Sequence, residues 1–165
     1  MRHVDRFARM LAFILLFLTW TDGSAAEFAA PTTDGWHVWQ VQGFDDDLDL
    51  VSIYVRISAG TVAKIRVTTD ECPVRILTPL NDLGVIPNAA SVAWLLRQVG
   101  AGTRVSESAL AAISAHAGAE AFTALTTLVE DRDNSRNLRE QALFWLAQSD
   151  SDEAFGYLDR LLSKR

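Results

Sequence analysis

Glu153-Ala154-Phe155 repeats Glu120-Ala121-Phe122 at an offset of 33 positions. At the same offset Ala142-Leu143 answers Ala109-Leu110, and Leu158 and Leu161 answer Leu125 and Leu128. A fixed period in the range of roughly 20–50 residues marks stacked supersecondary units, each burying its apolar face on a neighbour. Within each copy the apolar spacing is helical. In the first, Ser106 is a candidate N-cap, Leu110 and Ile113 share a face, and Ala117-Gly118 breaks the helix. Phe122, Leu125, Leu128 and Val129 then stripe a second helix. In the second copy Leu138, Ala142, Trp145 and Leu146 stripe one helix, and Phe155, Leu158, Leu161 and Leu162 the next. Asp150 followed by Glu153 has the spacing of a capping box. Residues 142–147 are apolar nearly all round, so that helix needs cover on more than one side.

Upstream the period shifts from 3.6 to 2. Val51, Ile53, Val55 and Ile57 alternate with Ser52, Tyr54 and Arg56. After Ser58-Ala59-Gly60-Thr61 a second run places Ala63, Ile65 and Val67 inside and Lys64, Arg66 and Thr68 outside. Two alternating runs across a short Gly-containing link predict a β-hairpin. Residues 36–42, rich in aromatic and β-branched side chains, add a third strand, giving a three-stranded antiparallel meander with one buried face. Pro79, Gly84 and Pro87 make residues 74–88 read as a loop. From Ala89 a helix follows, with Val92, Leu95, Leu96 and Val99 on one face and Gly100 and Gly102 as its stop.

The fold class expected is therefore α+β. A three-stranded antiparallel unit occupies residues 27–73 and a linker with a helix residues 74–105. An α-α superhelix of about two helical hairpins fills residues 106–165. Residues 138–148 with 152–158 resemble a HEAT repeat of the short bacterial, phycobilisome-lyase-like type. Ile53-Tyr54-Val55-Arg56, Ile65-Arg66-Val67 and Asp70-Glu71-Cys72-Pro73 resemble exported bacterial proteins that carry a small β-unit before such repeats. The resemblance implies a scaffold for protein contacts, without catalysis or a cofactor. Such arrays normally run to several repeats, so the expected array of about two directs attention to the ends of the stack.

The N-terminus reads as an export signal. Arg2, Arg6 and Arg9 precede an apolar run from Met10 to Trp20, and Ser24 and Ala26 stand at the −3 and −1 positions of a cleavage site before Glu27. Cleavage after Ala30 is a second option. The apolar run is about half the roughly 20 residues of a spanning helix, so no stable membrane span is expected after cleavage. The localisation expected is periplasmic or extracellular. Removal of residues 1–26 takes away three Arg and two Asp, one net positive charge, so −6 becomes −7. An acidic body without a basic run argues against nucleic acid, whose binding rests on Lys and Arg at phosphates.

Five residues form the candidate partner surface: Trp39, Tyr54, Arg56, Lys64 and Arg66. The last four share the outer face of the hairpin, where a small basic patch on an acidic protein suits an acidic partner. Trp36 and Trp39 point to opposite faces of their strand, so one sheet layer cannot bury both. Cys72 is the single cysteine, either buried or a candidate intermolecular thiol. Pairing it with His37 or His116 as nucleophile and base finds no supporting motif. Asp45, Asp47 and Asp49 have the spacing of calcium ligands, but Leu50 and Arg56 stand where an EF-hand needs Gly and Glu, and a solvated loop explains them. The function expected is a secreted, non-enzymatic module that binds an unknown protein partner. A self-associating envelope protein is the alternative, and a metal-dependent module a more remote one.

Overall fold

A computed structural model describes residues 28–43, 50–69, 74–100, 102–149 and 151–163. The expected signal peptide, Asp45–Asp49, Cys72 and the capping Asp150 lie outside these residues. The strands are β1 (Gly35–Val41), β2 (Val51–Ser58), β3 (Thr61–Thr69) and β4 (Leu80–Val85). The helices are α1 (Asn88–Leu96), α2 (Thr103–Ser114), α3 (Ala119–Glu130), α4 (Arg136–Gln148) and α5 (Asp152–Ser163).

The hairpin of β2 and β3 turns at Ala59 and Gly60, both at positive φ (52° and 70°), a backbone twist that matches the twist of the flanking strands. Asp34 clamps this turn, its carboxylate accepting from the N–H of Ala59 at 2.9 Å and of Gly60 at 3.0 Å. The two bonds hold the Asp34 carboxyl below the usual carboxylate range.

The sheet is not the expected three-stranded antiparallel unit. It has four strands in the order β3-β2-β1-β4, and β4 runs parallel to β1, so the sheet is mixed. The overall class is still α+β, with five helices after the sheet among the described residues. β4 was invisible to periodicity because its residues are mostly exposed and include Asn81, Asp82 and Gly84, poor strand formers. It forms because the free edge of β1 offers unpaired backbone groups. A buried His37 pins the join. Its Nε2 lies 2.8 Å from the Thr33 carbonyl oxygen and its Nδ1 3.2 Å from Asn81 Nδ2, so the ring donates to the first and accepts from the second.

β3 does not keep the alternation expected of it, with Ala63 inside. The register shifts between Arg56 and Ile57, so Ile57 opposes Val62, Arg56 opposes Lys64 and Ala63 is left between them. This bulge turns Ala63 outward and brings Val62 against the core beside Ile65 and Val67.

The inner face carries Trp39, Val41, Ile53, Val55 and Ile65, all buried against the helices. α2 packs along β3 and α1. Trp39 stacks edge-on against Trp94 of α1, with ring centroids 5.2 Å apart. Asn88 ties three segments together. Its Oδ1 accepts from Gln42 N–H at 3.0 Å, and its Nδ2 donates to the carbonyls of Gln42 (3.1 Å) and Ala117 (2.8 Å).

α4 begins 33 positions after α2, and α5 begins 33 after α3, the offset read in the sequence. Equivalent alanines are buried in both copies: Ala109 and Ala142, Ala121 and Ala154. The larger side chains differ. Leu125 is buried and Phe122 packs on the core, whereas Phe155 is 75% exposed and Leu162 69%. α5 buries Ala154 and Tyr157 instead of the expected Phe155, Leu158, Leu161 and Leu162 stripe, because the face it turns to α4 and to Phe122 of α3 is the one that carries Ala154 and Tyr157.

Candidate binding face of the sheet

The antiparallel register fixes which side chains share the outer face. One row runs Trp36, Arg56, Lys64; the next Val38, Tyr54, Arg66; the third Gln40, Ser52, Thr68. Successive rows are two residues apart along the strands, roughly 7 Å. Arg56, Lys64 and Arg66 are exposed, and Trp36 and Tyr54 half-buried. Arg66 donates to its neighbour's Ile65 carbonyl at 3.0 Å. Among the described residues the one ion pair is Arg136–Glu140 on α4, so no described carboxylate is ion-paired with a cation of this face. Asp82 of β4 lies beside Val38 in the second row, where its Oδ1 accepts from Gly84 N–H at 2.8 Å.

Two depressions mark this region. A cleft of about 430 Å³ is lined by Arg56, Lys64 and Arg66 together with Arg104, Val105 and Ser108 from the first turns of α2. A groove of about 480 Å³ is lined by Trp36, Tyr54, Arg66 and Thr68 and by residues 74–78. Arg66 borders both.

The structure thus places Tyr54, Arg56, Lys64 and Arg66 on one surface, but not Trp39. Trp39 is 0% exposed, and its Nε1–H donates to Ser91 Oγ at 2.8 Å. Trp36 is the tryptophan of the outer face. The apolar partners of Trp39 on its own face, Val41 and the opposing Ile53, were the signal that could have decided between the two. Arg104 was missed because it belongs to a helix 40 residues from Lys64 in the chain.

His116 sits elsewhere. It is buried at the C-terminal end of α2, its Nδ1–H donating to the Ala112 carbonyl at 2.7 Å. Burial pushes its pKa below the ordinary value, so the neutral ring with a lone pair on Nε2 is the favoured form. That Nε2 has no hydrogen-bond partner among the described residues. It is therefore not paired with a described hydroxyl or thiol as a base would be. His116 also lines a cavity of about 440 Å³ with Phe122, Leu125, Leu146, Ser149 and Glu153. Among the described residues no three His, Cys, Asp or Glu side chains are grouped to hold a metal, and no helix is long and apolar enough to cross a membrane.

Comparison with protein-family models, curated proteins and solved structures gave no match to this chain.

Proposed function

We propose that this protein is an exported, non-enzymatic binding module that docks an acidic partner protein on the outer face of its sheet. The observation that carries the reading is the gathering of Arg56, Lys64, Arg66 and Arg104 around one cleft, with no described carboxylate paired to them, on a chain of net charge −6. Against an acidic body, a local basic patch orients an acidic partner and repels other approaches. The helices, HEAT-like in sequence, serve as the rigid support behind the sheet: α2 fixes β3 from the inner side and supplies Arg104. Export rests on the pattern of residues 1–26.

The test is fluorescence anisotropy with a labelled 20-residue polyglutamate. Wild type binds at low salt and loses affinity as salt rises, since exposed charges are screened. The triple variant Arg56→Glu/Lys64→Glu/Arg66→Glu binds at least tenfold more weakly. No binding by the wild type at low salt overturns the proposal.

A second reading, self-association, is favoured by the apolar side chains that α4 and α5 leave in solvent. Phe144 is 55% exposed, and Phe155 and Leu162 more so. Light scattering with and without reductant tests it. A concentration-dependent dimer that Phe155→Ser dissociates supports contact through α5; a dimer lost only on reduction implicates Cys72; a monomer at all concentrations ends the reading.

A further inference from the structure

We infer that the outer sheet face reads an extended peptide segment carrying an acidic side chain and a large apolar side chain two positions apart. This rests on the acidic-partner reading of the face and narrows it to a recognition element.

The cleft and the groove differ in chemistry. The cleft presents Arg56, Lys64 and Arg104, and the groove presents Trp36, Tyr54, Ile76 and Leu77 with Arg75 at its margin. Leu77 is 90% exposed, a large apolar side chain with nothing described over it. Arg66 is common to both, directly across from Tyr54 and two residues along β3 from Lys64. The step from the cationic row to the Tyr54–Arg66 row is therefore one pleat repeat, roughly 7 Å. An extended ligand has the same repeat: its side chains at i and i+2 point the same way and are separated by the same distance. A carboxylate seated among Lys64, Arg56 and Arg104 places the side chain two positions on at the Tyr54–Arg66 row, where the groove that Leu77 lines begins. There it gains apolar burial, at about 25 cal/mol per Å² of surface removed from water, while its neighbours in sequence face away.

Other anionic ligands use less of this surface. A small free anion fills the cleft and leaves the apolar side chains of the groove, Trp36, Tyr54 and Leu77, wet. A nucleic acid backbone needs a long row of cations, and the cluster here has four on a chain of net charge −6.

The experiment uses the full chain and three labelled nonapeptides in a Gly/Ser background with identical charge. One has Phe two positions from a Glu, one has Phe moved next to that Glu, and one has Ser in place of Phe. The first is expected to bind at least tenfold more tightly than the other two. In Leu77→Ser, at an exposed site, that preference drops to within twofold at an unchanged melting temperature. If all three peptides bind wild type equally and polyglutamate also binds, the spacing inference is overturned and the acidic-partner reading stands. If neither the peptides nor polyglutamate bind, both are overturned. A preference that survives Leu77→Ser unchanged also overturns the assignment of the groove.

Discussion

The indole Nε1 of Trp39 and the hydroxyl of Ser91 are joined by a fully buried hydrogen bond of 2.8 Å, between residues 52 positions apart in sequence. It links β1, a central strand, to α1, and it fixes which face of the sheet is interior. Ser91→Ala leaves a buried N–H without a partner, which costs about 1–3 kcal/mol. Chemical denaturation is expected to show that loss as a lower midpoint with an unchanged slope. Because Trp39 belongs to the core, the same variant leaves polyglutamate binding at its wild-type level.

Ala59 holds φ 52° at the first position of the β2–β3 turn, a left-handed conformation that costs a residue with a Cβ roughly 1 kcal/mol. Asn tolerates it and is the common choice before Gly in such turns. Ala59→Asn is expected to raise the melting temperature by a few degrees, read by differential scanning calorimetry. An unchanged or lower value counts against the turn geometry.

How much of this was legible in the sequence follows from where the signals are local. The hairpin was legible because alternation in residues 51–57 and 62–68 is repeated on both sides of a glycine turn. The 33-residue offset was legible because Ala121 and Ala154 occupy the same close-packed position in α3 and α5. β4 was not, because it is held by backbone pairing to β1 and by His37 with Asn81, not by a pattern of burial. The bulge at Ala63 was hidden because one inserted residue moves Val62 inward without altering composition. For the candidate site, Tyr54, Arg56, Lys64 and Arg66 follow from β2–β3 periodicity. Arg104 and residues 74–78 join it only through tertiary placement.

His116 gives the protein a pH dependence of known sign. Its folded pKa lies below the ordinary 6.5, so below that pH the unfolded chain takes up a proton that the folded chain resists. Stability is whole above about pH 6.5 and falls as the pH drops below it, by at most about 1.4 kcal/mol per unit. His116→Asn keeps a donor for the Ala112 carbonyl and does not titrate. The difference in unfolding free energy between wild type and this variant is expected to change between pH 7 and 5.5, to the disadvantage of wild type at the lower value. A constant difference refutes the assignment.

Asn88 makes three hydrogen bonds that join the end of β1, the start of α1 and the α2–α3 junction. Asn88→Ala removes all three and is expected to cost about 1–3 kcal/mol. Hydrogen exchange should speed up at the Gln42 and Ala117 amides before it does at the core strands. Uniform acceleration across the sheet would show instead that the junction opens only with the whole fold.

The most direct test of the central claim is amide chemical-shift mapping of the folded chain titrated with a glutamate-rich peptide. Saturable shifts are expected at Tyr54, Arg56, Lys64, Arg66 and Arg104, with the Trp36 indole moving and the Trp39 indole unmoved. Shifts confined to α4 and α5, or no shifts at low salt, would contradict that claim.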